Sequence, residues 1–209
     1  MKALFMGCHC DDIELGCGAT IHKYINMGMD VYCHTFSSKS VWRGGKIDLT
    51  DCSHKALKSL GVKNIDYSSF PTNSFYEHRQ LIWETVHNLQ EMINPDLVFT
   101  IEWDNQQDHE VLFKESIRNF RKTTMFSYKP TIRNAPNQNS NFYEKLSLEN
   151  VTAKQQALSY YHEIYKDVIY FQPKNIESIL RIGGIYIEEE FAEEFNVIKM
   201  IPNYNVGDL

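Results

Sequence analysis

Two short apolar runs, each closed by a cluster of histidine and aspartate, constrain this chain more than anything else in it. Residues 2–7 (KALFMG) lead straight into Cys8-His9-Cys10-Asp11-Asp12, and residues 96–101 (DLVFTI) are followed by Asp104-Asn105-Gln106-Gln107-Asp108-His109. Runs this short and continuously apolar read as strands buried on both faces. Residues 30–36 make a third, β-branched and aromatic. Helix-period segments lie between them, at 14–27, 50–60, 75–94 and 109–121. Gly61 is a favourable C-terminal stop for the second, and Pro95 closes the third, whose stripe carries Leu81, Ile82, Val86, Leu89 and Ile93. Alternation of this kind predicts an α/β fold: one domain over residues 1–209, a largely parallel sheet with helices on both faces. Residues 129–150 read as a long surface loop, 152–165 and 189–195 as helices, and the tail after Pro202 as frayed.

Composition removes several classes of function. With 21 Lys+Arg against 27 Asp+Glu the net charge is −6, a poor basis for gripping nucleic-acid phosphates. No stretch approaches the roughly 18 apolar residues of a membrane span. The N-terminal run is too short, and too soon acidic, for a signal peptide. Five cysteines, an odd number, do not read as a disulfide framework, so a reducing, cytoplasmic setting is expected. GxSxG and GxxxxGK[ST] are absent. Gly16-Cys17-Gly18 lacks the third glycine of a dinucleotide fingerprint.

In open α/β sheets ligands bind beyond the carboxyl ends of the strands. Loops leaving two neighbouring parallel strands there converge, which would unite the two His/Asp clusters. His9, Asp12 and His109 then form a His₂Asp set that leaves a position for water on one zinc ion. Another first-row divalent ion fits such a set as well. Asp11 becomes a candidate general base, and Asp108 a candidate to orient a histidine or the base. The plainer alternative is that Asp11-Asp12 merely caps a helix. Cys8, Cys10 and Cys17 beside His9 raise a structural zinc site, but no CxxC pair accompanies them.

These residues carry a resemblance. HCDDIELGCGAT resembles the HPDDxxxGxGGT signature of the LmbE-like, or PIG-L, family of zinc-dependent N-deacetylases, and DNQQDHEVL is similar to its second motif, DxHxDHxxV. Weaker agreement continues at Ala56-x-x-x-Leu60-Gly61, at Lys154-x-x-Ala157-Leu158, and at Gly184 with Ala192-Glu193-Glu194-Phe195. The resemblance implies a Rossmann-like fold and removal of an N-acetyl group from a small-molecule amino sugar or sugar conjugate. It also implies His9, Asp12 and His109 as zinc ligands, Asp11 as base, and Glu14 as loop support or a substrate contact.

The pattern breaks in places. Cys10 stands for a proline, Ala19 for a glycine, and Leu49 and Cys52 occupy the places of an RxxE pair. Gln106 replaces a histidine that in the family helps stabilise the oxyanion and protonate the leaving amine. Glutamine can donate a neutral hydrogen bond but cannot give up a proton. Acid work would then fall to Asp11, a nearby tyrosine, His34 or His162. The alternative is a metal-bearing, sugar-binding relative with weak catalysis or none. Lys114, Arg118, Arg121 and Lys122, extended by Lys129 and Arg133, are either a solvated helix face or a basic rim. As a rim, Arg118 and Arg121 would receive the phosphate of a nucleotide-linked sugar. The glutamates at 188–190, 193 and 194 read as the start of a helix. Tyr160, Tyr161, Tyr165, Tyr170 and Phe171 read as core. The sequence leaves a homo-oligomer open.

Overall fold

The first apolar run extends to the histidine itself, as β1 (Lys2–His9), buried along all but its two end residues. A computed structural model describes residues 1–42, 45–130 and 140–201. After β1 come α1 (Asp12–Asn26), β2 (Asp30–Ser37), a hairpin of β3 (Lys39–Trp42) and β4 (Gly45–Asp48), α2 (Thr50–Ser59), β5 (Asn64–Tyr67), α3 (Arg79–Ile93), β6 (Leu97–Ile101) and α4 (Gln107–Asn119). The chain continues through β7 (Thr124–Tyr128), β8 (Phe142–Leu146), α5 (Leu148–Ser159), α6 (His162–Tyr165), α7 (Pro173–Ile185) and β9 (Phe191–Lys199).

Seven strands form one sheet in the order β5-β2-β1-β6-β7-β9-β8. The first five run parallel, and β9 and β8 join antiparallel. Helices α1, α2 and α5 pack together on one face, and α3 packs with α4 on the other. The α/β reading therefore holds, with an antiparallel edge added. Phe5, Phe99 and Phe126 sit in register on β1, β6 and β7. Their rings stack at 4.5 and 4.9 Å between centroids. Each such pair contributes roughly 0.5–1.5 kcal/mol beyond its buried area.

The strand order reverses between β1 and β6: the chain leaves β1 towards β2 and β5, then returns to place β6 on its other side. That switch point is where a doubly wound sheet opens a crevice. The loops after β1 and β6 flank it.

Several sequence expectations are corrected. Residues 191–199 are strand, not helix: Phe191, Ala192, Glu193 and Phe195 are buried between β7 and β8. The glutamates therefore do not start a helix. The loop expected at 129–150 holds β8 and the start of α5, capped by Ser147; residues 131–139, with Arg133, and the tail from Pro202 lie outside the described residues. The helix expected at 152–165 is two, α5 and α6. Leu81 is 53% exposed, off the buried stripe of Ile82, Val86, Leu89 and Ile93. Tyr161, Tyr165 and Phe171 are core as expected, whereas Tyr160 is exposed.

Candidate metal centre

The chain turns from β1 into α1 through Asp11, whose backbone adopts φ 106°, ψ −26°. This left-handed conformation is unfavourable for a side chain larger than glycine and is often retained where a functional geometry requires it. Asp11 makes no capping hydrogen bond to α1, so the plain helix-cap alternative fails for it. Its carboxyl meets the Tyr165 hydroxyl. Burial, reinforced by Asp12 and Glu14, holds it well above the usual carboxylate range. Asp12 behaves oppositely. Burial alone would raise it, but His109 and His9 hold it low and ionised.

Asp12 Oδ2 is the hub of the site. It accepts the His9 backbone N–H at 2.8 Å and lies 3.5 Å from His9 Nδ1 and 3.7 Å from His109 Nε2. The His9 and His109 rings are 5.5 Å apart. The two sequence clusters thus come together across the β1–β6 junction.

Each histidine is oriented from behind. His9 Nε2 donates to Asp108 Oδ2 at 3.0 Å, turning Nδ1 towards Asp12. Burial opposes charge on His9, but hydrogen bonds to Asp108 and Asp12 raise its pKa to about 10. Asp108 also accepts the Asn73 N–H at 2.7 Å and the Phe75 N–H at 3.1 Å, tying the segment before α3 to the start of α4. His109 Nδ1 donates to Asp104 Oδ2 at 2.9 Å, while Asp104 Oδ1 accepts the Gln106 N–H at 2.7 Å. That tautomer leaves a lone pair on His109 Nε2. The atom is fully buried and has no hydrogen-bond partner. A buried unpaired imidazole nitrogen facing a carboxylate, with its other nitrogen held by a second carboxylate, is the arrangement a metal ligand requires.

A further buried donor joins the sequence-derived set. Cys8 Sγ, an Asp12 oxygen and a His109 nitrogen all lie within 4.8 Å of one another and are all buried. Burial, then Asp12, Asp108 and Asp104, push the Cys8 thiol well up. The sequence offers Cys8 only for a structural zinc site with Cys10 and Cys17, and Asp104 only as part of the second cluster with no role of its own. Cys8 directly precedes the histidine, and Asp104 stands five residues before His109 across one turn. Cys10 Sγ instead faces the Ser37 and Ser38 carbonyls at 4.0 and 3.8 Å.

Other expected residues fall elsewhere. Gln106 is the half-buried residue before α4, on the turn between Asp104 and His109. Glu14 is 1% exposed, and its Oε1 accepts from Ser53 Oγ at 2.9 Å and Tyr161 OH at 2.7 Å. It braces α1 and cannot meet a substrate; burial raises its pKa to about 7. Arg118 and Arg121 sit at the far end of α4, about 14 and 18 Å along the axis from His109 at 1.5 Å per residue. There Arg118, with Arg79, pairs with the buried Glu115, and Arg121 Nε donates to the Arg118 carbonyl. They do not rim the centre. Lys114 pairs with Glu110 and lies over Trp103. His34, on β2, is bound to Asp66 on β5 and to Ser68 just after that strand.

Residues 4–119, more than half of the chain, match the family described as PIG-L: GlcNAc-PI de-N-acetylase. Among curated proteins, the uncharacterized deacetylase YaiS of Escherichia coli is 28% identical over 120 residues, covering 54% of this chain and 65% of that one, just under two thirds of its length. The N,N'-diacetylchitobiose deacetylase of Pyrococcus horikoshii superimposes with a TM-score of 0.74 at 18% identity, covering 94% of this chain and 83% of that one. The zinc-inhibited form of teicoplanin deacetylase Orf2 gives 0.76 at 12% identity, over 93% and 97%. At such identities the structural likenesses establish the fold. Among the described residues no helix is long and apolar enough to cross a membrane.

Proposed function

The chain belongs to the PIG-L family of GlcNAc-PI de-N-acetylases, and we propose that it is a metal-dependent hydrolase that removes an N-acetyl group from an amino sugar or sugar conjugate. The observation that carries this reading is the orphaned His109 Nε2 facing Asp12 within a shell of carboxylates. His9, Asp12 and His109 would hold one divalent cation, zinc by the chemistry of the donors. When bound, such an ion supplies a Lewis acid that acidifies water and polarises an amide carbonyl.

The chain's own residues do the rest. Asp11, held high in pKa and hydrogen-bonded to Tyr165, is suited to take a proton from the attacking water and return it to the leaving amine. That double duty offsets the missing histidine at Gln106, whose amide can still donate a neutral hydrogen bond. Asp108 and Asp104 act by positioning His9 and His109. The family match and the deacetylase names of the relatives support the reaction class. A nucleotide-linked substrate loses its support, because Arg118 and Arg121 lie at the far end of α4 from His109.

The test is acetate release from a panel of N-acetylated amino sugars and short N-acetylated oligosaccharides by the zinc-loaded protein. Release should fall about 10²–10⁴-fold in Asp11→Asn while metal content is kept. Metal bound without acetate from any member of the panel would refute the enzyme reading. Acetate release gained only in Gln106→His would favour the sugar-binding relative.

A further inference from the structure

The geometry points to Cys8 as a direct ligand of the cation, making this a sulfur-containing centre built on Cys8, Asp12 and His109 with His9 alongside. The inference rests on the metal site proposed above and assigns it a donor that the two sequence motifs do not contain. Two observations carry it. Cys8 Sγ, Asp12 and His109 are the buried group whose donor atoms lie within 4.8 Å of one another. His109 Nε2, fully buried and without a partner, faces that space. His9, with Nε2 on Asp108 and Nδ1 3.5 Å from Asp12 Oδ2, stands to the site as His109 does, so the sulfur joins the motif's ligands and displaces none of them.

The distances suit the chemistry. With zinc–sulfur bonds of about 2.3 Å and zinc–nitrogen bonds of about 2.0 Å, tetrahedral ligand atoms sit roughly 3.5 Å apart. Asp12 Oδ2 and His109 Nε2 are already at 3.7 Å. The sulfur, within 4.8 Å of both, has at most about 1.3 Å to close to reach that spacing. As the metal–sulfur bond forms, the thiol proton leaves to solvent, as it does for any cysteine ligand. A thiolate beside a carboxylate adds negative charge and softness, so the site should prefer zinc, cobalt and cadmium over magnesium, calcium and manganese. Cys10 is no rival, since its sulfur is turned to the β2 carbonyls.

Cobalt(II) chloride titrated into the metal-free full-length protein tests this directly. Visible ligand-field bands report uptake, and a near-ultraviolet thiolate-to-cobalt charge-transfer band reports a sulfur ligand. The expected wild-type spectrum has both. Cys8→Ser and Cys8→Ala should lose the near-ultraviolet band and keep the visible ones, with affinity weakened at least the roughly 10–100-fold that loss of a supporting residue costs. Cys10→Ser should keep both. Visible bands without the near-ultraviolet band in the wild type would overturn the sulfur ligand and leave the metal site standing. A near-ultraviolet band that survives both Cys8 variants would overturn it equally. No cobalt uptake by the wild type would remove the metal site itself. Where a Cys8 variant fails to fold, the wild-type band together with its survival or loss in Cys10→Ser decides the question.

Discussion

Replacing Asp108 by asparagine keeps the side chain's shape and removes one charge and one acceptor from the point where two segments meet. The carboxylate is 1% exposed and accepts three hydrogen bonds: from His9 Nε2, Asn73 N and Phe75 N. Asparagine has a single acceptor oxygen. Turned towards His9 and Asn73, it sets its NH₂ group against the Phe75 N–H, stranding a buried donor at a cost of about 1–3 kcal/mol. The charge-assisted bond to His9 also weakens by about half. Turned the other way, the NH₂ faces His9 Nε2, which must then accept. The ring is then left with its one proton on Nδ1, the nitrogen that faces Asp12. Either orientation costs roughly 2–4 kcal/mol of stability, and about 10–100-fold in zinc affinity. Urea unfolding of the metal-free protein and a competitive zinc titration measure the two effects. The pH dependence has a definite sign. Burial would raise the Asp108 pKa, but hydrogen bonds from His9 and the backbone hold it below the usual value. Its contribution is therefore present above the unfolded pKa and lost as pH falls, so the difference between wild type and Asp108→Asn should shrink in acid. A variant within about 0.5 kcal/mol of wild type, with unchanged zinc affinity, would refute the role assigned to Asp108.

Other predictions concern the frame. Lys154 and Glu193 form a buried pair at 2.7 Å, and Glu193 also accepts the Ala19 and Thr20 N–H groups of α1. Lys154→Met should cost about 3–5 kcal/mol in urea unfolding by leaving Glu193 unpaired, and adding Glu193→Leu should recover part of it; a loss below about 1 kcal/mol would contradict this. A Cβ at Gly16 would overlap the Tyr128 ring, 2.7 Å from Cε2, and that ring is pinned by its hydroxyl on the Met6 carbonyl. Gly16→Ala should therefore lower the melting temperature by overpacking, about 1–3 kcal/mol, despite alanine's better helix propensity; a higher melting temperature would be the contrary result. Burial lowers the His34 pKa to about 4 against the pull of Asp66. The unfolded chain therefore binds the extra proton first, and stability should fall between about pH 6.5 and 4 and level off below. A His34→Gln protein that shows the same acid loss would dismiss that assignment.

The parts of the molecule legible in the sequence are those whose signals are local. β1 and β6 announce themselves as unbroken apolar runs, and α1 and α4 follow with their acidic first turns. The convergence of the two clusters follows once the strands are neighbours, which parallel pairing of β1 with β6 supplies. What is illegible is set by distant partners. Residues 191–199 carry a glutamate run that reads as a helix start, yet Glu193 is buried because Lys154 and the α1 amides receive it. β8 is a strand because β9 pairs with it; its own FYEKL, with Glu144 bound to Lys23 and Tyr24, has no clear alternation. Glu14 sits inside a motif, and only Ser53 and Tyr161, from elsewhere in the chain, show that it is structural. Cys8 was obscured by a more conspicuous neighbour, His9, and Arg118 and Arg121 by proximity in sequence that the length of α4 turns into distance.

The proposed chemistry depends on the loops after β1 and β6 building one metal site. Elemental analysis of the purified protein, wild type and His109→Ala, with folding checked by circular dichroism, tests it most directly. One divalent metal ion per wild-type chain, lost from the folded variant, is the expected result. A wild-type protein that stays metal-free when zinc is supplied, or a variant that keeps its full complement, would contradict it.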